Sequence, residues 1–525
     1  MIKINNLKRY FLNGLLLSCV ALIMRTVSVS FNIYVSSKIG AEAMGLLTLT
    51  GGIYGFAITV ATSGINMAVV RLVSSALPDN STYLDKKSDT CVRKIMKNAL
   101  CYCLIFSLSA SIILFVSAKN IGRYLLDDIR TVPSLKLMSL SLVPISISSA
   151  INGYFYAVRR VYKNVISQLF EQAIKISVVS FLLFVIAPYG LTYACIAVVA
   201  GGALSEGASV IISASLYFFD RITHRKKSQI NIGRVSDFGS FKISNSPMIN
   251  TRVIPIALPV AVSAYVRSLL ITVEHLAIPW GLKRHGADSE AALSSYGILH
   301  GMVIPILLFP SAVLNSFSSL LVPELSSAYA KGDKKKIKRI VSRVFSLTLF
   351  FSIGVSGALI CYSNEIGYFI YGSNEASLYI RLLAPLIPLM YLDGAVDSML
   401  KGLNEHLYTM RVNITDSLLS VILIVILLPL FGIKGYVAVI FITELINTSF
   451  SILKLLNLTK IKTPIFKWII IPVLLISLST VVTRLLFNTK FFSEISGKAF
   501  TFFEISITAL AYILLSALIK RKSTK

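Results

Sequence analysis

Five ionisable side chains, Arg25, Lys175, Arg267, Glu274 and Asp397, interrupt stretches of the chain that are otherwise apolar. An ionised group at the centre of a membrane-spanning helix costs roughly 2.5–3.5 kcal/mol. A chain that keeps several must surround them with a polar cavity between its helices. A cavity lined by charge suits a polar or charged cargo, so transport is the chemistry these residues point to.

Arg25 has no acid at helical spacing within its own apolar stretch, so its counter-charge must come from another helix or from cargo. That makes it the first candidate for ligand contact. Lys175 has Glu171 four residues earlier on the same helical face, flanked by Gln168 and Gln172. This pair is either structural or substrate-facing. Arg267 has Glu274 two turns along its stripe, with Tyr265 and His275 close by. The alternative for each cation is an ion pair or a side chain that snorkels to the interface. Asp393 and Asp397 share a face at i, i+4, and Glu206, Asp416 and Glu444 lie in further apolar stretches. A carboxylate facing lipid would protonate, so these face a cavity, pair with cations or carry protons. Glu171, Glu274, Asp393, Asp397 and Asp416 are the candidates for coupling or ion-pair roles. His300 could titrate near neutral pH, or serve as a hydrogen-bonded helix contact.

Of the 525 residues, 55% are hydrophobic and only 14% charged, and the mean hydropathy is +0.76. Soluble domains carry about 25% charged residues, so the sequence reads as an integral membrane protein. The net charge of +27 comes in short clusters between apolar runs. This is a pattern of membrane orientation and not of nucleic-acid binding. The six cysteines lack CxxC spacing and read as small core residues. There is no phosphate-binding G-x-x-x-x-G-K-[ST], G-x-S-x-G or HExxH pattern. Neither ATP, a metal, a cofactor nor an enzymatic activity is expected.

The elements that must position these residues are spans of about 20 apolar residues. Segments near 8–37, 42–76, 95–118, 131–158, 163–187, 191–219, 253–281, 292–329, 339–362, 377–403, 409–430, 433–457, 464–487 and 498–520 satisfy that length. The fold class expected is an all-α integral membrane protein with about 14 transmembrane helices, comprising two six-helix lobes around a central cavity plus two C-terminal helices. With the N-terminus inside, alternate loops hold 35 basic residues on the cytoplasmic side against 10 outside. Both termini of this cell-membrane protein are therefore expected in the cytoplasm. The longest polar break divides the chain into an N-terminal lobe (1–220), a basic cytoplasmic linker (221–252), a C-terminal lobe (253–460) and an appendix (461–525). The two lobes echo each other. Val73-Ser-Ser-Ala76 and Leu325-Ser-Ser-Ala328 close spans two and eight, and Gly45 has a counterpart in Gly297. Such repeats rock about a shared site in many transporters.

Gly40-Ala-Glu-Ala-Met-Gly-Leu46 resembles the GAEGMGL turn of the polysaccharide-exporter branch of the MATE-like flippases. Ser63 to Ser74 resembles that branch's ending of span two. Phe309 to Ser326 and Pro385 to Glu405 resemble its stage V sporulation protein B-like members, which are similar to peptidoglycan lipid flippases. The resemblance implies export of an undecaprenyl-pyrophosphate-linked saccharide, with membrane lipids around it and arginines facing the cavity from the first and the seventh or eighth spans. Arg25 fits the first. Where the pattern has a second basic residue in span one this chain has Asn32, and His300 lies near the span-eight arginine position. Arg267 and Lys175 are the candidates to supply that charge. The resemblance leaves H⁺ or Na⁺ open as the coupling ion. The rivals are a cation-coupled multidrug antiporter with the same twelve-span core and a non-transporting scaffold of envelope assembly.

Overall fold

In hydrocarbon every backbone amide must find its partner within the chain, which leaves helices or closed barrels. The computed structural model takes the helical route. It describes residues 2–76, 86–158, 160–232, 253–461, 464, 466–487 and 498–523, and no strand occurs among them. The first helices are α1 (Ile2–Thr62), α2 (Ile65–Ala76), α3 (Lys86–Asn120), α4 (Val132–Ala157), α5 (Val161–Ile186) and α6 (Leu191–Ile232). Next come α7 (Ile254–Arg284), α8 (Ser289–Tyr296), α9 (Ile304–Leu308), α10 (Ser311–Ala330), α11 (Lys334–Cys361) and α12 (Ser363–Tyr371). The last are α13 (Asn374–Leu383), α14 (Ile387–Gly402), α15 (His406–Thr459), α16 (Ile471–Phe487) and α17 (Lys498–Ser523).

Among the described residues, 11 helical runs are long and apolar enough to cross a membrane. Two of them, Val20–Ala76 and His406–Thr459, are 57 and 54 residues long. At 1.5 Å per residue each would reach about 80 Å, far beyond a hydrocarbon core of about 30 Å. The first breaks at Gly40 (φ 80°) and again at the Ser63–Gly64 turn (φ 42° and 69°) between α1 and α2, and the second breaks at Gly432 (φ 59°). Only glycine enters that region without steric cost. A shorter apolar run, Phe503–Leu518, lies in α17. The protein is therefore an all-helical, multi-pass membrane protein. The described helices alone do not fix the expected total of fourteen.

The chain packs as two units, Leu46–Leu276 and Met1–Gly45 with Ala277–Lys525. In the unit Leu46–Leu276, Ile65, Val69 and Leu72 of α2 bury against Ile95 and Ala99 of α3 and Ile151 and Phe155 of α4. The other unit buries Val341 and Phe345 of α11 with Val396 and Leu400 of α14, and α16 and α17 join this core through Ile476 and Tyr512. Tyr512 stacks on Phe350 with ring centroids 4.6 Å apart and donates its hydroxyl to the Phe350 carbonyl. Outside these cores large apolar side chains remain uncovered, such as Phe181 and Phe184 of α5. Lipid tails solvate such a surface at no cost. The sequence-derived partition at 220, 252 and 460 concerns membrane spans, not these packing units. Within its linker, 221–232 continue α6 and 233–252 lie outside the described residues.

Span eight is not one rod. A π-helical turn, Gly297–Val303, separates α8 from α9, and Pro310 stands at the N-cap of α10. Pro305 lies within the first two positions of α9, where its missing N–H is harmless. At the start of this turn, Gly297 meets Gly45. A Cβ on Gly297 would come within 2.1 Å of the Ala41 carbonyl oxygen and 2.5 Å of the Gly45 nitrogen. The two glycines matched by sequence position are thus in contact within one unit.

Candidate functional site

The deep cations occupy different settings. Arg25, on the segment of α1 before the Gly40 break, is exposed and makes no hydrogen bond or ion pair with any described residue. Arg267 on α7 is likewise exposed and unpaired among the described residues, including with Glu274, which is half-buried and engaged elsewhere. The reason lies in how α7 docks within its unit. Tyr265, Ser268, Thr272 and His275 repeat at helical spacing and form a polar stripe against the later segment of α1. Tyr265 bonds the Ser63 hydroxyl, Thr59 donates to Ser268 (3.1 Å), and Thr272 donates to the Gly52 carbonyl (3.0 Å). Gly52 gives His275 room to pack. With that stripe occupied, Arg267 points away among the exposed Val262, Val266 and Leu269.

Lys175 is half-buried, and Glu171 four residues earlier accepts from Ser209 of α6 at 2.7 Å. Glu206 of α6 lies within electrostatic reach of both Glu171 and Lys175. One ammonium thus sits among two carboxylates where α5 packs on α6. Ser167 extends this polar seam to Ser213 at 2.6 Å. Asn32 is half-buried, and its Oδ1 has no hydrogen-bond partner among the described residues.

In the other unit, His300 sits in the π-turn and bonds the Tyr436 hydroxyl through Nε2 at 2.5 Å. Its ring lies between Tyr296 (4.9 Å) and Tyr436 (5.6 Å). Asp397 reaches Lys401 at 3.7 Å and accepts from Asn413 at 3.2 Å. Asp393 and Asp416 lie within electrostatic reach of Glu444, whose Oε1 accepts from Thr448 at 3.2 Å. A buried amide oxygen (Asn447) and a buried hydroxyl (Ser451), each without a hydrogen-bond partner among the described residues, stand one and two turns beyond Glu444. Three acidic side chains from α14 and α15 therefore share one polar seam.

Sequence reasoning missed the strongest ionic lock. Asp220 is buried and accepts from Tyr154 (3.0 Å), Lys163 (2.5 Å) and Arg160. The next residue, Arg221, pairs with Asp89 of α3 at 2.5 Å. These locks join the ends of α3 to α6, and the partners are too far apart in sequence for helical spacing to reveal them. A second missed tie holds α17: the Tyr362 hydroxyl bonds Glu504 (3.2 Å) and Thr508 (2.9 Å).

Comparison with known proteins places this architecture. Residues 12–329 match the family described as polysaccharide biosynthesis protein, and residues 268–426 match the MatE family. The chain is 26% identical over 432 residues to stage V sporulation protein B of Bacillus subtilis (strain 168), covering 82% of this chain and 80% of that protein. It is 21% identical over 434 residues to lipid II flippase MurJ of the same organism, covering 79% and 76%. Among solved structures, lipid II flippase MurJ in an inward closed conformation superposes with a TM-score of 0.69 at 16% identity, over 97% of this chain and 100% of that one. An inward-facing multidrug resistance MATE transporter gives 0.60 at 13% identity, over 85% and 100%. The fold is thus one that a lipid flippase and multidrug transporters share. Because the family match spans more than half of the chain, this protein belongs to the polysaccharide biosynthesis protein family, as a stage V sporulation protein B-like member of the MATE-like superfamily.

Proposed function

We propose that this protein flips an undecaprenyl-pyrophosphate-linked saccharide, a peptidoglycan precursor or another envelope polysaccharide unit, from the inner to the outer leaflet by alternating access. The observation that carries the proposal is the pair of exposed arginines, Arg25 and Arg267, that no described residue neutralises. A pyrophosphate carries about two negative charges and does not cross hydrocarbon unaided. Guanidinium groups replace its hydration with bidentate, charge-assisted hydrogen bonds. With the cell interior negative, carrying two negative charges outward gains roughly 4.6 kcal/mol per 100 mV. The membrane potential alone then suffices to drive export.

In this reading Lys175, Asn32 and His300 complete the headgroup site as the cargo passes. The carboxylates Glu171, Glu274, Asp393, Asp397 and Asp416 take H⁺ or Na⁺ to reset the empty carrier. Two six-helix lobes rock about the cavity, both termini face the cytoplasm, and α16 with α17 offers a groove to the prenyl tail. The named activities of two relatives, lipid II flipping and multidrug transport, support a carrier. The seam of Asp393, Asp416 and Glu444 favours one second reading, a cation-coupled drug antiporter.

Reconstitution in liposomes separates these readings. Protein supplied with labelled lipid-linked sugar should move it across the bilayer, and Arg25→Ala should abolish that movement while leaving any dye efflux intact. Efflux that falls with Arg25→Ala while lipid movement persists overturns the flippase in favour of the antiporter. Movement of neither cargo leaves a scaffold.

A further inference from the structure

Where α10 turns into α11, a cavity of about 260 Å³ opens beside the ends of α14 and α15. That is far more than the ~10–15 Å³ that one water needs. Lys334, Lys338 and Lys460 line it, with Ile337, Leu403 and Tyr329 forming an apolar and aromatic wall, and no carboxylate among the lining residues. Three nearby lysines are paired, Lys336 with Glu324 (3.1 Å), Lys401 with Asp397 (3.7 Å) and Lys454 with Glu405 (3.2 Å), whereas Lys331 and Lys335 have no ion-pair partner among the described residues. The three cavity lysines have no ion-pair partner among the described residues. Asp333 stands at the rim, but its Oδ1 caps the helix by accepting from the Lys336 nitrogen at 2.9 Å. That bond caps α11, and the three ammonium groups outnumber the one carboxylate beside them.

Lys460 adds an independent sign. It occupies the C-cap of α15 with φ 50°, a left-handed conformation that glycine adopts more cheaply. The chain accepts backbone strain there and places an ammonium at the cavity mouth.

Ammonium groups over an apolar wall, at the ends of membrane helices, match an amphiphile whose head is a phosphate and whose tails are hydrocarbon. Lysine suits such a head because it acts as a compact point charge on a flexible stem. Tyr329 fits the same boundary, since tyrosine favours the headgroup level of a bilayer. We infer that this cavity binds the phosphate headgroup of an anionic phospholipid, bridging the α10–α11 turn to the ends of α14 and α15. Neither Arg25 nor Arg267 lines the cavity, so the inference does not depend on which cargo the carrier moves.

Native mass spectrometry of the full-length protein tests this, with dioleoyl phosphatidylglycerol and dioleoyl phosphatidylcholine offered at equal concentration. The protein should retain the anionic lipid at least tenfold more strongly. The variant K334A/K338A/K460N should lose that preference, whereas K334R/K338R/K460R and the control K94A/K97A, at two exposed lysines of α3, should keep it. Millimolar inorganic phosphate should not displace the lipid. A preference that survives in the folded triple variant, or is lost equally in the control, overturns the site. Full displacement by inorganic phosphate overturns the lipid and assigns a free anion instead. If the triple variant is not monodisperse, the single variants K334A, K338A and K460N carry the test, each with a twofold to fivefold loss. Three unchanged single variants reject the site.

Discussion

Replacing Gly297 by alanine adds one methyl group at the tightest approach between the start of span two and span eight. That methyl would lie 2.1 Å from the Ala41 carbonyl oxygen, and contacts below 3.0 Å are essentially never seen. Both nearby groups are backbone, so no side chain can rotate aside, and the segments must separate by about 0.9 Å. Overpacking of this kind costs about 1–3 kcal/mol. At 1.4 kcal/mol per tenfold, the closed arrangement should lose roughly 5- to 150-fold in population against any state that parts these glycines. Spin labels at Lys38 and Glu290, both exposed, report the separation through dipolar distance distributions in a background with the native cysteines replaced by serine. The wild-type chain should show a dominant short distance, and Gly297→Ala should move weight to a longer one. Gly51→Ala serves as control, because nothing lies within 4 Å of its added Cβ. An unshifted distribution in Gly297→Ala, or an equal shift in Gly51→Ala, would refute the reasoning.

Other consequences follow from the same geometry. Gly45→Ala meets the Leu293 carbonyl oxygen at 2.1 Å, and because Gly45 and Gly297 touch, the double variant should fall short of the summed single effects in thermal unfolding. Asp220→Ala strands two cations and a phenol in a buried site, so a loss of about 3–5 kcal/mol is expected by the same measurement; Asp220→Asn should lose less because it still accepts. Tyr436→Phe removes the hydroxyl that holds His300 and should cost about 0.5–1.5 kcal/mol, with a shift in the His300 ring resonances. Glu444→Gln removes one titratable carboxyl from the α14–α15 seam and should weaken the Na⁺ or pH dependence of turnover while cargo binding persists; unchanged ion dependence would exclude this seam from coupling.

Much of the architecture was readable because membrane helices announce themselves through length and apolarity. The breaks in α1 and α15 fall at Gly40 and Gly432, where the apolar stretches ending near 37 and 430 give way to the next. The outlying charges Arg25 and Arg267 were legible for the same reason, since each interrupts hydrocarbon-compatible sequence. Pairings across helices were not. Asp220 finds Arg160 and Lys163 some sixty residues earlier, and His300 finds Tyr436, contacts that arise from packing and leave no local period. The expected partnership of Arg267 with Glu274 rested on spacing alone. Seven residues along one helix are about 10.5 Å apart on its axis, and Arg267 lies off the α7 stripe that docks on Gly52 and Thr59. The Gly45–Gly297 match lay in the sequence as a repeat, yet its meaning as a contact needed the fold.

Arg25 and Arg267 are proposed to receive the phosphates of the cargo. The most direct measurement is the affinity of the purified protein for undecaprenyl pyrophosphate relative to undecaprenol, in the wild-type chain and in Arg25→Ala/Arg267→Ala. Hydrogen bonds to charged groups contribute about 1.5–3 kcal/mol each. The double variant should therefore lose the preference for the pyrophosphate by at least 100-fold while its affinity for the alcohol stays unchanged. An undiminished preference would contradict the account.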